Sequence, residues 1–337
     1  MLLVAIAIAV VAFSTLLIIL RFSLTTNKAN LNVKGKFVLI TGCDSGFGRE
    51  TAIKLDKMGV CVLATCLTKE GEQSLKSATS DKLKTFQMNA TDSQQIEEVF
   101  CRVNKLLGGK SGLWGLVNNA GMLSIGPAEW VPLADFKKVA DVNLWGVMDV
   151  TKTFLPLVKK AKGRVVFVGS VAGVVSPQAF SPYCITKYGV EAFADSLRRE
   201  MRPFEVQVSV IQPGATQTPM LNDELLASRL KELWDNLPSD KRLEYGEEYL
   251  KNAIQGFRDW CKSGSNKVSH VIDAIVSPLT SQFPKERYVI GWDAWQLKLS
   301  SHLPEVLQDL LVKDFPFKIV TPPAQDVPEC HVNGTTH

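Results

Sequence analysis

A chain of 337 residues with 46% hydrophobic and 21% charged side chains has the material for one large α/β domain with a buried core. Its formal net charge of +4, with no basic stripe carrying interleaved aromatics, excludes a nucleic-acid-binding role. The cysteines (Cys43, Cys61, Cys66, Cys101, Cys184, Cys261, Cys330) are scattered without a Cys-x-x-Cys, and the four histidines lack metal-ligand spacing. Free thiols in a reducing compartment and no bound metal are expected, with Cys330, His331 and His337 part of a disordered end.

Leu2 to Leu20 is a run of nineteen residues without a charge. As a helix it would be roughly 28 Å long, about the thickness of a hydrocarbon core. No basic segment precedes it and no small-residue cleavage site follows, which argues for a retained anchor over a cleaved signal. Arg21, Lys28, Lys34 and Lys36 follow the span, so positive-inside bias puts the rest of the chain on the cytosolic side.

Lys36 to Thr41 is a buried-strand pattern. It runs into Gly42-Cys-Asp-Ser-Gly-Phe-Gly48, and an amphipathic helix pattern follows from Arg49. Strand, glycine turn and helix in that order form a dinucleotide site: the glycines permit a tight turn, and the helix N-terminus faces a pyrophosphate. Val60 to Thr65 reads as a second strand. The acid that commonly holds the adenosine ribose at its end is missing, the place being taken by Cys66. No arginine stands there for a 2′-phosphate. Asp44 in the turn repels one, which favours NAD over NADP.

Leu83 to Met88 reads as a third strand, with a helix cap after it and Asn89 as a neighbour of the adenine. A helix from Ser93 to Leu107 precedes a fourth strand over Gly112 to Val117, which ends in Asn118-Asn119-Ala120-Gly121. Leu133 to Leu155 keeps a helical period with Pro156 as its stop or kink, and carries Asn143 as a kinked or water-holding position. Gly163 to Ser170 is a fifth strand. Val206 to Ile211 is a sixth, closed by Pro213-Gly214 and by Thr216 and Thr218. Strands alternating with helices throughout argue for a doubly wound parallel sheet of Rossmann type. Between the last two strands, Tyr183 and Lys187 lie four apart on a helix and share a face. An ammonium beside the phenol is expected to lower the tyrosine pKa toward neutrality, giving a general acid/base for an alcohol or ketone.

These residues, in order and at this spacing, resemble the short-chain dehydrogenase/reductase family over about residues 35 to 295: Thr41-Gly42-x-x-x-Gly46-x-Gly48, Asn118 to Gly121, Asn143, Ser170, Tyr183-x-x-x-Lys187 and Pro213-Gly214. The fuller wording, including Trp114 to Gly121 and Tyr183 to Phe193, is similar to the branch of microsomal retinol dehydrogenases, hydroxysteroid dehydrogenases and mitochondrial 3-hydroxybutyrate dehydrogenase. The resemblance implies that Tyr183 exchanges a proton with the substrate and that Ser170 donates to the reacting oxygen. Lys187 would hold the nicotinamide ribose, and Asn143 would position a water leading to Lys187. It also implies an NAD-binding set of Thr41, Gly42, Asp44, Ser45, Gly46, Phe47, Gly48, Cys66, Asn89, Asn119, Gly121, Tyr183, Lys187, Pro213, Gly214, Thr216 and Thr218. Pairing into a homodimer or homotetramer is common in the family.

Met220 to Lys262 leaves the nucleotide-binding pattern. Leu221, Leu225, Leu226, Leu230 and Trp234 form a helix stripe, and a second helix runs toward Trp260. This insertion is expected to cover the substrate. Val268 to Leu279 is a further helix and Arg287 to Gly291 a last strand. The apolar region from Trp292 to the leucines near 311 completes the pocket, packs on a subunit or rests on a bilayer. The expected organisation is an anchor over 1–24, a linker over 25–34, a catalytic domain over 35–320 with its insertion at about 219–265, and a disordered tail over 321–337. The expected activity is NAD-dependent oxidation of a hydrophobic hydroxysteroid or retinol at the endoplasmic reticulum membrane. Alternatives are a 3-hydroxybutyrate dehydrogenase of a mitochondrial membrane and a non-catalytic NAD- or lipid-binding scaffold.

Overall fold

Continuous apolar runs, without in–out alternation, are what strands covered on both faces require. In the computed structural model, which describes residues 30–109 and 111–318, the strands are β1 (Phe37–Ile40), β2 (Cys61–Cys66), β3 (Lys84–Gln87), β4 (Gly115–Asn118), β5 (Arg164–Val168), β6 (Gln207–Pro213) and β7 (Arg287–Ile290); the central ones are such runs, while β3 and β7 at the edges are only partly apolar and partly covered. All pair in parallel in one seven-stranded sheet of order β3-β2-β1-β4-β5-β6-β7. Val38 of β1 lies beside Val62 of β2 on one side and Gly115 of β4 on the other. The strand order reverses there, so the crossovers that follow β1 and β4 run to opposite faces of the sheet and leave a crevice at its carboxyl edge.

The helices are α1 (Gly46–Lys57), α2 (Lys69–Ser77), α3 (Ser93–Leu106), α4 (Leu133–Ala140), α5 (Val147–Lys160), α6 (Ser181–Glu200), α7 (Asp223–Asp235), α8 (Ser239–Tyr245), α9 (Glu247–Ser263), α10 (Val268–Thr280), α11 (Trp292–Ser300) and α12 (Glu305–Val312). One buried layer joins Leu39, Leu63 and Phe167 to Ile96 of α3, Phe154 of α5 and Leu197 of α6. The other joins Ile40 and Val62 to Leu55 of α1, Leu75 of α2 and Ile275 of α10. A third cluster stands apart from the sheet and fuses α7 and α9 to the segment before α6 through Phe180, Leu230, Trp234 and Phe257. Local chemistry starts the helices where the sequence places them. Thr68 Oγ1 caps α2 by accepting from Gly71 N, and Asp92 caps α3 by accepting from Gln94 N and Gln95 N, with Gln95 reaching back to the same carboxylate.

Two boundaries differ from expectation. Pro156 does not stop its helix, because α5 continues to Lys160 with the proline inside it. Pro156 and Lys152, whose carbonyl the proline leaves without a donor, are both exposed, so water can serve that carbonyl. The irregularity falls earlier, at a π-helical turn over Asp141–Gly146 that contains Asn143. The insertion has a third short helix, α8, between the two expected ones. Among the described residues no helix is long and apolar enough to cross a membrane. Leu2 to Leu20, the 321–337 segment and Cys330, His331 and His337 lie outside the described residues.

Candidate active site

A cleft of about 870 Å³ runs along the carboxyl edge of the sheet and takes in both the glycine turn and the Tyr183 helix. At its nucleotide end, Gly42 has φ +69, and a Cβ there would lie 2.8 Å from Ala120 Cα, so only glycine lets the two loops close. Thr41 Oγ1 accepts from the backbone N–H groups of Asn119 and Ala120 at 3.0 Å each, and Asn119 Nδ2 donates to the carbonyls of Thr41 and Gly42 at 2.9 Å. The Asn118–Gly121 turn is therefore bolted to the glycine turn. Ser45 is extended and offers no side-chain cap to α1. Gly46 and Phe47, whose N–H groups open that helix without an intrahelical partner, line the cleft, which suits this end of it to a pyrophosphate.

Most of the expected nucleotide residues line this cleft: Thr41, Gly42, Asp44, Ser45, Gly46, Phe47, Asn89, Asn119, Gly121, Pro213, Gly214, Thr216 and Thr218. Two do not. Gly48 lies behind the turn, where a Cβ would overlap Gly42 O and the Asn119 amide, so it acts through packing. Cys66 is fully buried with Val62 and Ala64 in the core layer under α1 and α2, while its neighbours Thr65 and Leu67 line the cleft, because side chains alternate along β2. Burial, reinforced by the Asp44 and Glu72 carboxylates, pushes the Cys66 thiol up to about 12. Asp293 escaped sequence reasoning. Its carboxylate accepts from Ala215 N at 2.8 Å and occupies the space that a Cβ on Gly214 would need, fixing the turn after β6. The acid just after a helix-starting Gly291 was the available signal.

Ser170 stands two residues past the end of β5, at the start of the connection to α6, and Tyr183 lies in the first turn of α6, with Lys187 one turn on. Ser170 Oγ accepts from Ala172 N at 3.1 Å and is hydrogen-bonded to the Tyr183 phenol. Lys187 is buried; its Nζ donates to Val168 O at 2.9 Å and stands 5.5 Å from the centre of the Tyr183 ring. The expected lowering of the tyrosine pKa is not what this arrangement produces. Enclosure in the cleft wall pushes the phenol above its ordinary value, with the Ser170 hydrogen bond drawing it partly back. Burial brings Lys187 down to about 8, opposed by the Glu191 carboxylate. Desolvation outweighs the pairing for both groups.

Asn143 is fully buried in the π turn. Its Oδ1 accepts from Met122 N at 2.8 Å, and its Nδ2 donates to Met122 O at 2.8 Å and to Thr186 Oγ1 at 3.3 Å. With both amide hydrogens engaged, the side chain clamps the loop after β4, and a water beside it would have to use a lone pair of Asn143. The π turn brings it within reach of α6, since Thr186 is Lys187's neighbour.

The far half of the cleft is walled by Met122, Leu123, Val175, Phe180, Leu221, Trp260, Leu297 and Phe315. Among the described residues lining the whole cleft the charged side chains are Asp44, Lys187 and Asp293. Phe315 was not singled out from the sequence.

A nucleotide cradle opening on a Ser–Tyr–Lys group, with an apolar chamber beyond, defines a nicotinamide-dependent oxidoreductase. The profile of the family described as short chain dehydrogenase matches residues 36–227, and the chain belongs to that family. It is 44% identical over 283 residues to retinol dehydrogenase 7 of Rattus norvegicus, covering 83% of this chain and 89% of the relative. It is 43% identical over 284 residues to the mitochondrial D-beta-hydroxybutyrate dehydrogenase of the same organism, covering 82% and 83%. A short-chain dehydrogenase crystal structure from Streptomyces avermitilis shares the fold, with a TM-score of 0.66 at 24% identity over 83% of this chain and 96% of that one.

Proposed function

We propose that this chain is a membrane-anchored, NAD-dependent dehydrogenase that interconverts a hydrophobic hydroxysteroid or retinoid alcohol and its carbonyl. The observation that carries the reading is the substrate half of the cleft, apolar and without a cation other than Lys187 among the described lining residues. A steroid or retinoid skeleton gains from such walls, whereas a short hydroxy acid would bring a carboxylate into them unpaired. Retinol dehydrogenase 7 carries a retinoid in its name and supports the same direction.

Bound in the cradle, the nicotinamide cofactor supplies the hydride acceptor or donor. Thr41, Gly42, Ser45, Gly46 and Phe47 hold the pyrophosphate side, and Asn119, Pro213, Gly214, Thr216 and Thr218 line the path toward nicotinamide. Tyr183 takes the hydroxyl proton in oxidation and returns it in reduction. Ser170 donates to the reacting oxygen, where charge develops. Lys187 holds the ribose and serves the proton path behind Tyr183.

Residues 1–24 anchor the chain in the endoplasmic reticulum membrane and 25–34 link them to a cytosolic domain over 35–320. The exposure of Trp292, which lines the cleft, and of Trp295, Leu299, Leu310 and Leu311 on α11 and α12 supports a site close to a bilayer. The likeness to D-beta-hydroxybutyrate dehydrogenase favours a second reading with 3-hydroxybutyrate as substrate. NADH formation by the purified, detergent-solubilised full chain, with hydroxysteroids, retinol and 3-hydroxybutyrate compared, separates the two. Turnover of 3-hydroxybutyrate alone would overturn the proposal.

A further inference from the structure

After α12 the chain turns back over the substrate helices. Phe317 is buried against Tyr249 and Phe257 of α9, with ring centres 5.7 and 6.0 Å apart. The strap seats in a notch made by Gly256: a Cβ there would overlap Phe317 Cβ and lie 2.6 Å from Pro316 O. On its other side, Gln178 Nε2 donates to Phe317 O. Two residues earlier, Phe315 stacks on Phe180 at 6.4 Å and 15° and meets Trp260 edge-on at 6.4 Å, and all three rings line the cleft. Gln178 and Phe180 belong to the segment that runs straight into Tyr183, so the strap is tied to the same piece of chain that carries the phenol.

We propose that this C-terminal strap gauges substrate size, with Phe315 as a specificity-determining residue and Gly256 as the notch that holds it in place. The proposal rests on the hydrophobic-alcohol reading above. A substrate whose hydroxyl reaches Tyr183 meets the Phe180–Trp260–Phe315 wall at its far end. The position of that wall depends on a backbone contact with α9 that only glycine permits.

The test uses the full chain with NAD and a graded series of secondary alcohols, from cyclohexanol to a four-ring hydroxysteroid. F315A should shift the ratio of kcat/KM for the largest over the smallest alcohol upward by roughly tenfold. F315W should shift it the opposite way, and neither should change the KM for NAD. G256A should reproduce the F315A preference with Phe315 still present. Q178A, which removes the outer tie without touching the α9 notch, should do so more weakly and covers the case in which G256A does not fold. A loss equal across the whole series, or an unaltered preference in both F315A and F315W, would overturn the proposal. A wild-type chain that binds NADH but oxidises none of the series sinks the alcohol reading instead. The strap is then read by anilinonaphthalene sulfonate, whose affinity should rise several-fold in F315A at constant NADH affinity; equal dye affinities would overturn it.

Discussion

The carboxylate of Asp44 accepts the hydroxyl of Thr68 at 2.8 Å, tying the glycine turn to the cap of α2. The same carboxylate accepts from Leu67 N and Thr68 N at 2.9 Å, and a Cβ on Gly71 would lie 2.5 Å from Asp44 Oδ1, so Gly71 makes room for it. A fixed negative charge therefore stands at the end of β2, supplied by the neighbouring loop where Cys66 supplies none. At about 5 Å and an effective dielectric near 20, such a charge costs each charge of a 2′-phosphate about 3 kcal/mol. Asp44→Asn keeps an acceptor for the loop and removes the charge. We expect kcat/KM for NADP relative to NAD to rise on the order of 100-fold for each charge the 2′-phosphate carries; an unchanged ratio would place the selectivity elsewhere.

Lys187 gives a prediction about stability. Its native pKa of about 8 lies below the ordinary 10.5, so below pH 8 folding buries a cation that the unfolded chain leaves in water. Between pH 8 and 10.5 the unfolded chain binds the extra proton, and stability should rise with pH by roughly 3 kcal/mol. Tyr183, held above its ordinary 10.0, acts in the opposite sense only above that pH. Lys187→Met keeps the buried stem and should remove the rise. Denaturant titrations of the cofactor-free proteins across this window check it, and parallel curves for the two would contradict it.

The sheet and the glycine turn were legible because they are local: short apolar runs such as Phe37–Ile40, bounded by turn residues and alternating with helix patterns, read as buried strands, and the glycines after β1 mark a tight turn. What escaped depends on distant neighbours. Pro156 reads as a helix stop until Lys152 is seen to face water. Cys66 reads as a ribose position until the alternation of β2 is anchored, and an offset of one residue sends it to the other face. Nothing near Phe315 in sequence marks it as a cleft wall, since its partners Phe180 and Trp260 come from two other segments. The Tyr183–Lys187 spacing correctly placed both on one helical face, but spacing carries no information on burial, which sets the direction of both shifts.

Asn143 holds Met122 by both backbone groups, so Asn143→Ala orphans an N–H and a C=O at once. With Asn143 itself fully buried, the loss should be about 2–4 kcal/mol of unfolding free energy. Because the released loop carries Leu123 of the substrate chamber and Asn119 and Gly121 of the nucleotide half, KM for the alcohol and KM for NAD should both rise. A destabilisation below about 1 kcal/mol would mean that water replaces the amide in the π turn.

Tyr183→Phe removes the one hydroxyl that both touches Ser170 and faces the cleft, leaving the aromatic ring in place. If that hydroxyl exchanges the substrate proton, kcat should fall by about 10²–10⁴-fold with NADH affinity unchanged, as read by nicotinamide fluorescence. The wild type carries a second signature. Oxidation needs the phenolate, and burial holds the phenol above its ordinary value, so log kcat/KM for oxidation should climb with pH through the neutral range and beyond. Reduction uses the protonated form and should lack that climb. In Tyr183→Phe the residual oxidation should lose its slope. A variant that kept the slope would assign the titrating group to another side chain, with Lys187 the first to examine because its transition near pH 8 falls in the same range.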